Sequence, residues 1–90
     1  MNLAVVRGCV VCTRKNPDME GIKLLVIEPV DERGRPAAPR LVATDAVGAG
    51  AGETVLYCTG REAAIPYLPR SVASDACIVG IVDTVYVEAE

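Results

Sequence analysis

Between two β-forming runs lies the stretch Asp45-Ala46-Val47-Gly48-Ala49-Gly50-Ala51-Gly52-Glu53, with glycine at every second position from 48 to 52 and a carboxylate at each end. Leu41-Val42-Ala43-Thr44 precedes it and Thr54-Val55-Leu56-Tyr57-Cys58 follows it. It reads as a loop that exposes bare backbone and lets another backbone, an ion or a small ligand come close.

The strands around it follow from alternation. Residues 3–13 read as a long first strand, apolar on both faces, with Gly8 marking a bend or a close backbone approach. Residues 14–21 are polar and contain the turn Asn16-Pro17-Asp18. Residues 23–30 form the second strand, ended by Pro29. Asp31-Glu32-Arg33-Gly34-Arg35-Pro36 is an exposed turn. Residues 41–46 and 54–59 are the third and fourth strands. Arg61-Glu62-Ala63-Ala64-Ile65 predicts one or two helical turns, stopped by Pro66. Residues 76–87 read as a fifth strand, again apolar on both faces.

Five strands, one short helix between strands four and five, and no room for long helical crossovers predict an all-β single domain over residues 1–90. Its architecture is a small, mostly antiparallel, OB-like barrel. Ninety residues support only a small core. A barrel of this size has one interior, so strands that are apolar on both faces leave apolar surface outside. That pattern predicts self-association.

Composition narrows the chemistry. The chain has no His, Trp or Phe, and a formal net charge of −3. Without His the commonest general base and metal ligand are missing. Few aromatic residues and an acidic balance weigh against a nucleic-acid surface. No apolar run reaches the roughly 18–20 residues of a membrane helix, and the first residues lack the basic and apolar regions of a signal peptide. The expectation is a cytoplasmic protein with reduced thiols and no membrane partner.

Three candidate chemistries can be set against plainer readings. The loop contains G-x-G, but the dinucleotide fingerprint needs a helix to follow, and here a strand follows, with Glu53 repelling phosphate. Cys9-Val10-Val11-Cys12 is a CxxC, but on a strand residues three apart face opposite ways, and Cys58 and Cys77 do not form a second pair. The cysteines read as buried small hydrophobes rather than as a zinc or redox site. Asp45, Glu53 and Asp83 lie beside apolar strands without a nucleophile or an electrophilic stabiliser. They read as acceptors for loop N–H groups or as bridges to a neighbouring chain, not as acid–base catalysts.

The stretch Val42-Ala43-Thr44-Asp45-Ala46-Val47-Gly48-Ala49-Gly50-Ala51-Gly52-Glu53-Thr54-Val55-Leu56 resembles the signature loop of the EutN/CcmL family of bacterial microcompartment vertex proteins. Thr13-Arg14-Lys15, Gly21-Ile22-Lys23-Leu24-Leu25-Val26 and Asp75-Ala76-Cys77-Ile78-Val79-Gly80-Ile81-Val82-Asp83 extend the resemblance over nearly the whole chain. Two departures stand out. Arg61-Glu62-Ala63-Ala64 places Ala where the family commonly has Arg, and Ala73-Ser74 replaces a common Pro.

The resemblance implies a non-enzymatic structural protein without cofactor or metal. It implies a cyclic homopentamer closing the five-fold corners of a shell in the cytoplasm, against hexameric facet proteins. Gly48, Ala49, Gly50 and Gly52 would surround an axial opening, and Asp45, Glu53 and Asp83 would anchor the loop. Two other functions are open to the sequence: an OB-type nucleic-acid-binding module, and a thiol or metal protein using Cys9 and Cys12.

Overall fold

The computed structural model describes residues 2–11, 22–60 and 76–86. They form five strands: β1 (Asn2–Val10), β2 (Lys23–Pro29), β3 (Leu41–Asp45), β4 (Thr54–Thr59) and β5 (Ala76–Val82). The sheet closes on itself in the order β1-β2-β3-β5-β4. All pairs are antiparallel except β3 with β5, which run parallel through Thr44 opposite Cys77 and Asp45 opposite Ile78. The parallel pair closes the barrel because β4 is inserted between β3 and β5 in sequence and pairs on β5's other side. The helical turns expected at residues 61–65 lie outside the described residues.

One face of each strand is apolar and small enough to fill so narrow a barrel. Ala4, Val6, Leu25, Ile27, Ala43, Val55, Tyr57, Ala76 and Ile78 form the core, together with Ala49 from the glycine loop. Ile27, fully buried at its centre, contributes about 1.5–3 kcal/mol by leaving water.

The expected outer strands need two corrections. β1 ends at Val10 rather than residue 13, and β5 at Val82 rather than residue 87. Each stops near the end of its partner: Val10 pairs with Leu24, beside the first residue of β2, and Val82 with Thr54, the first residue of β4. Without a ladder partner, apolar alternation alone does not extend a strand.

β1 also departs from simple alternation. Its register with β2 slips between Val6 and Gly8. Val6 then faces Ile27 and Cys9 faces Leu25, two residues of β2 that both point inward. The bulge has turned Val6 and Cys9 to one side, although they are three residues apart. A Cβ on Gly8 would meet nothing within 4 Å. Gly8 therefore marks a bend, not a close approach.

The cysteines divide. Cys58 and Cys77 face each other across β4 and β5 and are buried beside Val79, as small hydrophobes. Cys9 is exposed, against the expectation of burial, because the bulge leaves it at the barrel mouth. Cys12 lies outside the described residues.

The turn after β2 is built by Asp31. Its Oδ1 accepts from the N–H groups of Arg33 (2.9 Å) and Arg35 (3.0 Å), and Arg35 Nε lies 3.3 Å from Oδ2. Gly34 supplies the left-handed residue of the turn, at φ 81°. The Arg35 N–H in particular holds the Asp31 carboxyl below its usual range. A lowered folded value means that the turn favours the charged form. Its small stabilisation is in place above the ordinary carboxylate range and is lost as pH falls through the lowered value. We expect carbonyl NMR titration to give Asp31 a lower midpoint than the same residue in urea-unfolded chain, with the difference absent for a Gly34→Val variant that breaks the turn. Equal midpoints in folded and unfolded chain would show that the turn does not hold the charge.

Candidate functional site

The glycine loop, residues 46–53, folds back over one end of the barrel, and four sets of contacts hold it there. At its start, Asp45 ends β3 with its side chain turned into the loop. Its Oδ1 accepts from the N–H of Val47 and of Gly48, both at 3.0 Å, and the Ala46 N–H donates to Ile78 O at 3.3 Å. Short acidic side chains favour this local geometry because they reach backbone donors two and three residues on. Gly48 follows at φ 83°, a left-handed conformation costly for other residues.

In the middle, the Ala49 methyl is fully buried in the barrel core. Its carbonyl accepts from Lys23 Nζ at 3.1 Å. Lys23 is the register partner of Asp45 on β2, so both ends of that cross-strand pair grip the loop. At the far end, the Gly50 N–H donates to Glu53 Oε1 at 2.5 Å, and the Glu53 N–H returns to Gly50 O at 3.2 Å. Gly52, again at φ 83°, donates to Val6 O at 2.8 Å, and the Val6 N–H donates to Glu53 O at 2.9 Å. These last two bonds tie the loop to β1 next to its bulge.

The loop is therefore a fixed ridge. Its exposed positions are Ala46, Val47, Gly48, Ala51, Gly52 and Glu53, and Gly50 is half-buried. Apart from Val47 and Glu53, that surface carries only backbone and methyl groups. The N–H groups of Val47, Gly48, Gly50 and Gly52 all donate within the chain. The positions where a bare-backbone loop would take an external anion are thus filled by its own carboxylates and by a β1 carbonyl. A cleft of about 220 Å³ lies beneath the ridge, between it and the β1 and β2 residues Val6, Cys9, Lys23 and Leu25.

The structure brings together Asp45, Gly48, Ala49, Gly50, Gly52 and Glu53. Ala49 contributes its carbonyl to the loop's hold while its methyl belongs to the core. Asp83 is exposed just beyond β5, whose last residue Val82 pairs with Thr54 next to Glu53, and no hydrogen bond or ion pair to the loop is found for it among the described residues. Lys23 was not legible as part of this site. In sequence it is an ordinary first residue of a strand, and only the fold of the loop over β2 brings it to Ala49. One further atom stands out: Asp45 Oδ2 is buried with no hydrogen-bond partner. No group of three or more Cys, Asp or Glu side chains able to hold a metal occurs among the described residues.

The fold is a closed five-stranded barrel with a side-chain-poor ridge fixed by its own carboxylates. Residues 1–83 match the family model described as ethanolamine utilisation protein EutN/carboxysome. The chain is 41% identical to the bacterial microcompartment shell vertex protein EutN of Salmonella typhimurium, over 94% of its length and 86% of that protein. It is 42% identical to the carboxysome shell vertex protein CcmL of Synechococcus elongatus, over 98% and 89%. The GrpN pentameric microcompartment shell protein of Rhodospirillum rubrum superposes with a TM-score of 0.88 at 41% identity, covering 98% of this chain and all of that one. The chain belongs to the EutN/CcmL family of microcompartment shell vertex proteins, a structural and not an enzymatic family.

Proposed function

We propose that five copies of this chain close a cyclic ring that caps a vertex of a microcompartment shell, with the ridges of residues 46–53 meeting around the five-fold axis. The observation that carries this reading is the ridge itself. It is fixed at both ends and in the middle, and its exposed surface is nearly free of side chains. Five backbones can then approach one axis without steric conflict. A ring of this kind uses heterologous contacts, one face of each subunit against a different face of the next, and closes when the rotation per subunit is right.

Gly48, Gly50 and Gly52 border the axial opening in this arrangement, together with the Ala49 backbone. Asp45 and Glu53 keep the ridge in shape. Asp83, one residue past the Val82 that pairs with Thr54, flanks the loop's exit. The ring's rim meets the hexameric proteins of the shell facets. Support comes from the pentameric GrpN relative, which the chain matches over nearly its whole length.

Light scattering on the purified chain tests the ring. The expected mass is about five times the 9.4 kDa of the single chain. A monomer at micromolar concentration would overturn the proposal.

A further inference from the structure

In sequence Cys58 and Cys77 are isolated from each other. Barrel closure makes them register partners on β4 and β5. Their chain neighbours Tyr57, Ala76 and Ile78 all belong to the core inside the barrel. Successive side chains of a strand point to opposite faces, so both cysteines point to the outer face, on the same side of the sheet. There they form an apolar cluster of their own with Val79. Cys77 is fully buried and Cys58 is 6% exposed. Both are thiols, and Cys77 Sγ donates to Ile78 O at 3.5 Å.

Residues directly opposite on antiparallel strands have Cα atoms about 4.5 or about 5.5 Å apart, according to whether the pair is hydrogen-bonded. A disulfide spans Cα separations of about 4.4–6.8 Å and Cβ separations of about 3.5–4.5 Å. Facing cross-strand Cβ atoms, about 4.5–5.5 Å apart, need only a small approach to meet that requirement. The register therefore sets the two thiols within reach of one S–S bond.

We propose that Cys58 and Cys77 are a redox couple: a dithiol that closes to an intramolecular disulfide and staples the end of the β4–β5 ladder. The pair lies one step from the last partners of that ladder, Thr59 and Ala76. The ends of a ladder open more readily than its middle, and opening admits a low-molecular-weight disulfide, such as oxidised glutathione, as the oxidant. Cys58, the less buried of the two, reacts first. Its thiolate bonds to one sulfur of the oxidant and expels the other as a thiolate. The Cys77 thiolate then attacks Cys58 Sγ, forms the protein disulfide and expels the second thiolate. Two protein thiols are oxidised, one external disulfide is reduced to two thiols, and the two cysteine protons end on them. The closed loop of residues 58–77 restricts the unfolded chain and so stabilises the fold. The staple lies within one chain, at the end of β4 away from the ridge, and does not rest on the ring.

Oxidation followed by peptide mapping tests it. The purified protein is incubated with oxidised glutathione, remaining thiols are blocked with iodoacetamide, and the chain is digested with trypsin without reduction. Cleavage after Arg40, Arg61 and Arg70 yields peptides 41–61 and 71–90, with one cysteine each. The expected result is these two peptides joined by a disulfide that dithiothreitol breaks, in a protein that runs as a single chain on a non-reducing denaturing gel. The oxidised protein should melt roughly 10 °C or more above the reduced one. Cys9→Ser should keep that difference, while Cys58→Ala and Cys77→Ala should each abolish it. Should an alanine variant not fold, the peptide link in the wild type decides. Both peptides recovered with alkylated thiols, or Cys58 recovered only as its glutathione adduct, overturn the proposal. A link between two chains, seen as a dimer on the gel, overturns it as well. A link that leaves the Tm unchanged or lowers it overturns the staple.

Discussion

Asp45→Ala should destabilise the folded chain by about 2–3 kcal/mol, because it removes the acceptor of two backbone donors at once. Val47 and Gly48 both donate to Asp45 Oδ1 at 3.0 Å. Without that oxygen their N–H groups lose partners at the start of the ridge. Hydrogen bonds to a charged acceptor are worth about 1.5–3 kcal/mol each. The total stays below twice that figure because the same substitution removes Oδ2, a buried oxygen with no partner, whose burial costs energy.

Asp45→Asn retains the acceptor and should lose about 1 kcal/mol. Urea unfolding at one fixed protein concentration measures both, the concentration being held because assembly adds to apparent stability. An alanine variant within about 0.5 kcal/mol of wild type, the range of an ordinary surface substitution, would mean that the ridge is held by its other contacts. The loss should appear also in hydrogen exchange: the Val47 and Gly48 amides should exchange faster in Asp45→Ala, while those of β1 and β2 keep their protection.

Ala51→Arg should prevent ring closure while leaving the barrel folded. Ala51 is exposed on the crest of the ridge and has no left-handed backbone to strain, unlike Gly48 and Gly52. Gly50→Arg is a less clean variant, since a Cβ there would come within 3.3 Å of Glu53 Oε1 and disturb the hydrogen bond that shapes the ridge. If the five ridges surround the axis, arginine at position 51 brings five guanidiniums together where small residues stood. Each pair of like charges at about 4 Å costs about 1 kcal/mol in water and about 4 kcal/mol at an effective dielectric near 20. Summed over five neighbouring pairs, this is about 5–20 kcal/mol against closure.

The expected result is a monomer by light scattering, with wild-type circular dichroism, and partial recovery of the ring in high salt as the charges are screened. Ala51→Ser should assemble normally. A stable pentamer of Ala51→Arg would move the ridge off the axis.

The five strands were legible because each carries period-two alternation bounded by turn residues, and that signal is local. Gly34 and Asp31 announced their turn in the same local way. The ridge too was legible as a loop. Its chemistry was less so, because the fate of an N–H group depends on what folds over it. The sequence left open an anion held by bare backbone. The structure fills those donors with Asp45, Glu53 and the Val6 carbonyl, the last reached only because β4 pairs with β1. Ala49 was read as part of an opening, and its methyl proves to be core. Nothing in the sequence separates it from Ala51, two positions on.

What the sequence determined by itself was therefore the set of strands and the loop between β3 and β4. These follow from side-chain type and spacing along a few neighbouring residues. The tertiary structure alone decided the ends of β1 and β5, since a strand stops where its partner does. It decided that Val6 and Cys9 share a side, through a bulge that no local pattern signals. It brought Lys23 to Ala49 and placed Arg7 and Arg40 on the Glu28 carboxylate. Each of these is a meeting of residues distant in sequence, and such meetings are fixed by barrel closure, which sets register and shear for all five strands together.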